Sequence, residues 1–118
     1  MNHLIGLGTR HAAGALVVMF FLTSCNGFDE QLNYNEAQRA HNKRDFDKAI
    51  RLYQQLLEGD PQNKVHPDNA IIHYDLGVAY LDIGEREKAR RQADALKRMN
   101  REDLAEQLSK LLVLSDSL

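Results

Sequence analysis

Apolar positions recur at three- and four-residue spacing from about residue 31 onward, and short polar breaks divide this pattern into five segments. The pattern predicts five helices, over residues 31–43, 46–59, 68–83, 86–99 and 101–114. Capping residues support these breaks: Asp45 and either Pro67 or Asp68 precede the second and third helices, Gly84 follows the third, and Asn100 is placed to cap the fifth. Most connections are two or three residues long, so consecutive helices are expected to be antiparallel.

Two stretches of the chain share a pattern of small and large apolar residues. In the first stretch these are Phe46, Ala49, Tyr53 and Leu56, followed by Asp60-Pro61. In the second they are Leu76, Gly77, Tyr80, Ala89, Ala93 and Leu96. The first stretch resembles the second helix of the tetratricopeptide repeat (TPR), a helical hairpin that stacks into arrays, and the second stretch resembles one complete repeat. The resemblance implies an all-α fold, a short TPR-like solenoid of helical hairpins with two repeats and a C-terminal capping helix.

The chain departs from the family pattern at its centre and at both ends of the array. Ala49 and Ala89 match at an offset of 40 residues, against about 34 in the family, so residues 62–66 are expected to form an inserted loop. Asn33 and Glu36 stand where the family prefers apolar residues, which predicts a polar outer cap. The last helix has an apolar stripe that predicts a second cap, formed by Leu104, Ala105, Leu108, Leu111 and Leu112. So short an array is expected to be marginally stable or to self-associate.

The first 25 residues follow a different pattern. Arg10 precedes an unbroken run of apolar or small residues from Ala12 to Leu22, which is the shape of a secretory signal. The run has 11 residues, whereas a membrane-spanning helix needs about 20. Leu22-Thr23-Ser24-Cys25 resembles the lipobox of bacterial lipoproteins, which implies cleavage before Cys25 and acylation of its thiol. The alternative is an ordinary cleaved signal followed by a free thiol.

These patterns divide the chain into a lipoprotein signal peptide (1–24), a lipidated tether (25–30) and a TPR-like helical domain (31–118). The lipoprotein resemblance implies a bacterial cell membrane location, with acyl chains such as palmitate as the anchor and the domain facing the periplasm. Asn26 after the cysteine favours the outer over the inner membrane if the enterobacterial sorting pattern applies. Five extended residues reach roughly 17 Å, so the domain is expected to lie close to the membrane.

Charge and motif content narrow the class of function. The formal net charge of −2 argues against a nucleic-acid partner, and the single cysteine excludes an intrachain disulfide. The sequence has no zinc-protease, nucleophile-elbow or phosphate-loop motif. His41, His66 and His73 are not spaced to give two metal ligands on one helix face. We therefore assign no catalytic residue, cofactor or metal site, and predict that the protein is not an enzyme.

The fourth predicted helix is rich in Lys and Arg, which would suit contact with anionic lipid or glycan. Glu87 and Arg91, Arg90 and Asp94, and Asp94 and Arg98 are each four residues apart. Such pairs contribute about 0.2–0.5 kcal/mol each in a helix, so the pattern favours a solvated face with weak ion pairs.

The third predicted helix has two apolar stripes. The first, with the spacing of a core face, contains Ile72, Leu76, Ala79, Tyr80 and Ile83; the second contains Ile71, Tyr74, Val78 and Leu81. In TPR proteins the second face of each first helix lines a groove where peptides dock, so the resemblance implies a protein-binding groove. Its candidate residues are Tyr34, Gln38, His41, Ile71, Tyr74, Val78, Leu81 and Asp82. The alternative is a central helix that its neighbours cover on all sides.

The charge of the groove residues restricts the partner. Family members that capture a C-terminal carboxylate use Lys, Arg and Asn along this face, whereas Tyr34, Gln38, Asp75 and Asp82 stand here. Recognition of an acidic tail is therefore not expected.

The combined patterns predict a non-catalytic, membrane-anchored protein–protein interaction adaptor or scaffold of the bacterial cell envelope. Its expected partners are an envelope protein or peptide segment, bound in the groove, and the membrane, through the lipid at Cys25. The alternative is a structural subunit or a pilotin-like assembly factor of an envelope secretion or pilus complex, in which a homo-oligomer or larger assembly buries the groove.

Overall fold

The computed structural model of the protein describes residues 31–59 and 68–117. Five helices occupy these ranges: α1, helical over 31–42, α2 (Phe46–Gly59), α3 (Asn69–Asp82), α4 (Arg86–Arg98) and α5 (Glu102–Asp116). Within these ranges there is no strand, and no helix has the length and apolar character needed to cross a bilayer. The all-α prediction is confirmed, and the described ends of the helices, which leave out the start of α1, lie within two residues of the predicted ones. The predicted signal, tether and inserted loop lie outside the described residues.

Acidic N-caps begin two of the helices where the sequence predicts them. The Asp68 carboxylate accepts a hydrogen bond of 2.9 Å from the backbone N–H of Ile71, in the first turn of α3. The Asp45 carboxylate accepts a longer one, 3.4 Å, from the N–H of Lys48 in α2. A side-chain acceptor at this position satisfies a backbone donor that the helix itself leaves unpaired.

The predicted N-cap of α5 is wrong. Arg101 is the N-cap residue of α5, and it makes no side-chain capping bond. Asn100 instead has φ 60° and follows α4, where its N–H donates to the carbonyl of Lys97. The chain needs a left-handed residue to reverse direction after α4, and asparagine adopts that conformation more readily than most residues.

Contacts between the helices establish their directions. Tyr34 meets Tyr53 near one end of the α1/α2 hairpin and His41 meets Phe46 near the other, so these helices are antiparallel. In the second hairpin, His73 of α3 is bonded to Gln92 of α4. The helix α3 is central, because it contacts α2, α4 and α5 and is hydrogen-bonded to α1. The architecture is that of stacked helical hairpins with α5 as a terminal helix.

Small residues are buried where the helices pack together. Ala49 and Ala89, which belong to the repeated pattern, are fully buried, and so is Ala37 of α1. Gly77 of α3 faces Leu108 of α5, and a Cβ at Gly77 would lie only 2.5 Å from a Leu108 methyl carbon. Ile83 is the exception in the predicted core stripe: it is 40% exposed because α3 ends at Asp82.

Candidate functional site

The second apolar stripe of α3 lies on a partly exposed surface. Its members, which we call the apolar strip, are Ile71, Tyr74, Val78 and Leu81, and each is half-buried. Tyr74, Val78 and Leu81 pack with Leu104 against a core cluster that includes Leu96 and Leu108. Ile71 and Leu81 also pack against the larger cluster, which includes Tyr53 and Leu76. Neighbouring helices therefore cover the strip in part and leave the rest accessible.

Hydrogen bonds join α1 to α3 along one edge of this strip. The Tyr34 hydroxyl donates to Asp75 Oδ2 at 2.7 Å, and Gln38 Nε2 donates to the Tyr34 oxygen at 2.9 Å. Two turns further on, His41 Nε2 lies 2.7 Å from Asp82 Oδ2. Both contacts between the helices join residues 41 positions apart, so α1 and α3 run parallel and in register.

The predicted polar residues of the groove thus differ in their accessibility. Tyr34 is only 5% exposed, and its ring is part of the core, so its main contact is with α3. Gln38 is exposed and His41 half-buried, while the Asp82 side chain is 39% exposed. Asp75, which the sequence placed in this region without a role, is the acceptor that holds Tyr34.

Burial changes the protonation chemistry of this edge. Desolvation raises the pKa of Asp75, while the hydrogen bond from Tyr34 and the charge of His41 lower it in part. Desolvation also raises the pKa of the Tyr34 hydroxyl, and the neighbouring Asp75 raises it further. The Tyr34 hydroxyl therefore remains a donor at neutral pH, and the Asp75 carboxylate sits where its charge is poorly solvated.

The other edge of the apolar strip is formed by α5, and sequence reasoning missed part of it. Leu104 of α5 packs with Tyr74, Val78 and Leu81, whereas the sequence assigned Leu104 only to packing of the cap. Leu114 is 61% exposed and instead lines a separate surface pocket with Glu106, Ser109, Lys110 and Val113. We call the apolar strip together with its α1 and α5 edges the groove.

The ion pairs predicted along α4 are not the ones that form in the described residues. Arg90 pairs with Glu87, one turn back, instead of with Asp94. Arg86 pairs with Asp116 and donates to Ser115 Oγ at 2.8 Å, which ties α4 to the end of α5. Three- and four-residue spacings both bring side chains together on a helix, and the rotamers decide between them.

A cleft between α4 and α5 is another concave feature of the described residues. It has a volume of about 270 Å³ and is lined by Arg90, Ala93, Asp94, Lys97, Ser109, Leu112, Val113 and Asp116. Two of its charged residues, Arg90 and Asp116, already have ion-pair partners within the chain. Across the described residues, no three His, Cys, Asp or Glu side chains are grouped so that they could hold a metal ion.

Comparison with known proteins gives one family. No curated protein and no solved structure matches the chain. The family described as tetratricopeptide repeat matches residues 33–112, which includes both hairpins and most of α5. The stacked hairpins, the buried alanines and this match agree, and the chain belongs to the tetratricopeptide repeat family.

Proposed function

We propose that the protein is a lipid-anchored adaptor of the bacterial cell envelope that holds a protein or peptide segment in the groove. The observation that carries the proposal is the accessible part of the apolar strip. Folded chains usually enclose such a run of apolar side chains, and apolar surface that stays accessible often marks a site of interaction. The family supports a role in protein interaction, because tetratricopeptide repeats are interaction modules.

The anchor is the second part of the proposal, and Cys25 carries it. Two or more acyl chains hold a protein stably at a membrane, because each buried methylene contributes about 0.8 kcal/mol. Asn26 favours the outer membrane, with the domain on the periplasmic side. Confinement to the membrane surface would raise the effective concentration of the adaptor toward envelope partners.

Labelling with radioactive palmitate tests the anchor. The wild-type chain should incorporate label and fractionate with membranes, whereas Cys25→Ser should lose the label and appear in the soluble periplasmic fraction. Membrane association that is unchanged in Cys25→Ser would refute the anchor without affecting the groove.

A substitution within the apolar strip tests the groove. Val78 is half-buried, so Val78→Glu should keep the helical circular-dichroism spectrum while it abolishes partner capture in crosslinking from intact cells. Asp47→Asn, at an exposed position of α2, serves as the control and should capture partners normally. Unfolding of Val78→Glu would instead identify this residue as part of the core and remove the main support for the groove.

A structural subunit or assembly factor is the second candidate, and the terminal helix favours it. Val113 is 67% exposed, and Leu114 is also largely exposed, on the last helix of a short array. Repeat arrays usually cover such terminal faces with polar residues, so another subunit would reduce the cost of this exposure. If a protein beginning at Asn26 is a dimer that dissociates with Leu81→Asp, the groove is an assembly interface. A stable monomer would favour the adaptor.

A further inference from the structure

The charges of the helices are unevenly distributed between those that form the groove and those that do not. The only charged residues of α3 are Asp75 and Asp82, and α5 has four carboxylates against one lysine. In α1, one glutamate and one arginine balance each other. By contrast, α4 carries six Lys or Arg residues against two carboxylates. The helices that border the groove are therefore acidic as a set.

Asp75 and Asp82 stand beside the apolar strip on its α1 edge. They are seven residues apart, so their backbone positions are separated by two turns, or about 10.5 Å. Asp75 accepts a hydrogen bond from the neutral Tyr34 hydroxyl, and Asp82 is hydrogen-bonded to the His41 ring. Within the described residues no Lys or Arg pairs with either one, whereas Asp68, Asp103 and Asp116 each have an arginine partner.

A carboxylate in this position is well suited to meet a cation. Burial makes ionisation of Asp75 unfavourable, as its raised pKa indicates, and a nearby positive charge would offset that cost. A carboxylate can accept about four hydrogen bonds, and the Tyr34 hydroxyl takes part of that capacity at Asp75. An ammonium or guanidinium group approaching over the strip would add a charge-assisted bond, which is stronger than a neutral one.

We infer that the groove takes a segment that lays apolar side chains on the apolar strip and sets Lys or Arg side chains against Asp75 and Asp82. This inference rests on the proposed function, since it specifies the partner of the same groove. The spacing of the carboxylates restricts the segment further. Two cations about 10 Å apart are seven residues apart in a helix and three apart in an extended chain.

Selection from an unbiased peptide library tests the inference. The full chain, solubilised in detergent and immobilised, is panned against random twelve-residue peptides, and the enriched sequences are synthesised. We expect them to combine apolar residues with Lys or Arg at one of the two spacings. Binding should weaken as the salt concentration rises, because salt screens the charge pairs.

Matched variants locate the contact. Asp75→Asn/Asp82→Asn keeps the shape of both side chains and an acceptor for Tyr34, and should weaken binding of an enriched peptide about tenfold or more. Asp47→Asn/Glu58→Gln removes the same number of charges from exposed positions on α2 and should leave affinity within about twofold. Asp82→Asn alone, at an exposed position, provides a second variant if the double variant unfolds.

The outcomes separate this inference from the proposal on which it rests. Enrichment of acidic or uncharged peptides that Val78→Glu no longer binds would overturn the charge preference and leave the groove standing. Equal loss of affinity in the α2 control would also overturn it, because a general charge effect would then suffice. If no enriched peptide is sensitive to Val78→Glu, both the groove and its charge preference are wrong.

Discussion

Gly77→Ala tests a close approach between α3 and α5. A Cβ at this position would lie 2.5 and 3.0 Å from the two methyl carbons of Leu108 and 3.3 Å from Gln92 Cβ. Favourable carbon–carbon contact begins near 3.5 Å, so the overlap is about 1 Å. Leu108 is fully buried, which leaves it little space to move. Overpacking of this kind costs about 1–3 kcal/mol, whereas replacing glycine within a helix gains about 0.5–1 kcal/mol. We expect a net loss of up to about 2.5 kcal/mol in the free energy of unfolding.

Urea unfolding followed by circular dichroism at 222 nm measures this loss, and a double-mutant cycle identifies its cause. In a Leu108→Val background the clash is relieved, so Gly77→Ala should become neutral or stabilising. Gly59→Ala is the control, because no atom lies within 4 Å of its added Cβ, and it should not destabilise the protein. The reasoning fails if Gly77→Ala stabilises the wild-type protein, or if it costs the same in both backgrounds.

Three further changes probe the α1 edge and the helix caps. Tyr34→Phe removes the hydrogen-bond donor of the half-buried Asp75 and should lower the free energy of unfolding by about 1–3 kcal/mol, measured in urea at pH 7. Tyr74→Phe, at the matching position of the second repeat, is the control and should lower it less. Burial raises the pKa of Asp75 in the folded state, so the folded protein binds this proton more tightly than the unfolded chain. Proton binding at Asp75 therefore stabilises the fold at low pH, and this contribution is lost as the pH rises through the folded-state pKa. Asp75→Asn should therefore gain stability relative to wild type as the pH rises above the unfolded-state pKa of about 4, and a difference that stays constant or reverses would contradict this assignment. Asp68→Ala should lower the free energy of unfolding by about 1 kcal/mol. Asp45→Ala should lower it less, because the capping bond of Asp45 is longer. Equal losses in thermal unfolding would show that bond length does not rank these caps.

Local signals in the sequence were sufficient for the helices. The periodic apolar positions and the caps act within a few residues, and a cap such as Asp68 works through its own first turn whatever lies elsewhere in the fold. Asn100 shows where this reasoning reaches its limit. The residue is a plausible N-cap by type, but the turn between α4 and α5 requires a left-handed backbone there, and Arg101 takes the cap position. Which of the two residues is the N-cap of α5 therefore depended on the turn that joins α4 to α5.

Some residues of the groove could likewise be identified from local spacing, and others only from the tertiary structure. Helical spacing was enough to place Tyr74, Val78 and Leu81 on one side of α3, whereas the packing of Leu104 beside them required the position of α5. Spacing alone left several partners open for each charge on α4, and the side-chain rotamers decided that Arg90 pairs with Glu87.

The sequence by itself determined the number, limits and apolar faces of the helices and the repeated pattern that identifies the family. Only the tertiary structure decided that Tyr34 bonds to Asp75 and that Gly77 meets Leu108. Helix periodicity and capping are interactions between residues a few positions apart, so a sequence states them directly. Contacts between residues about 30 to 40 positions apart depend on the crossing and register of whole helices, which many weak packing contacts set together.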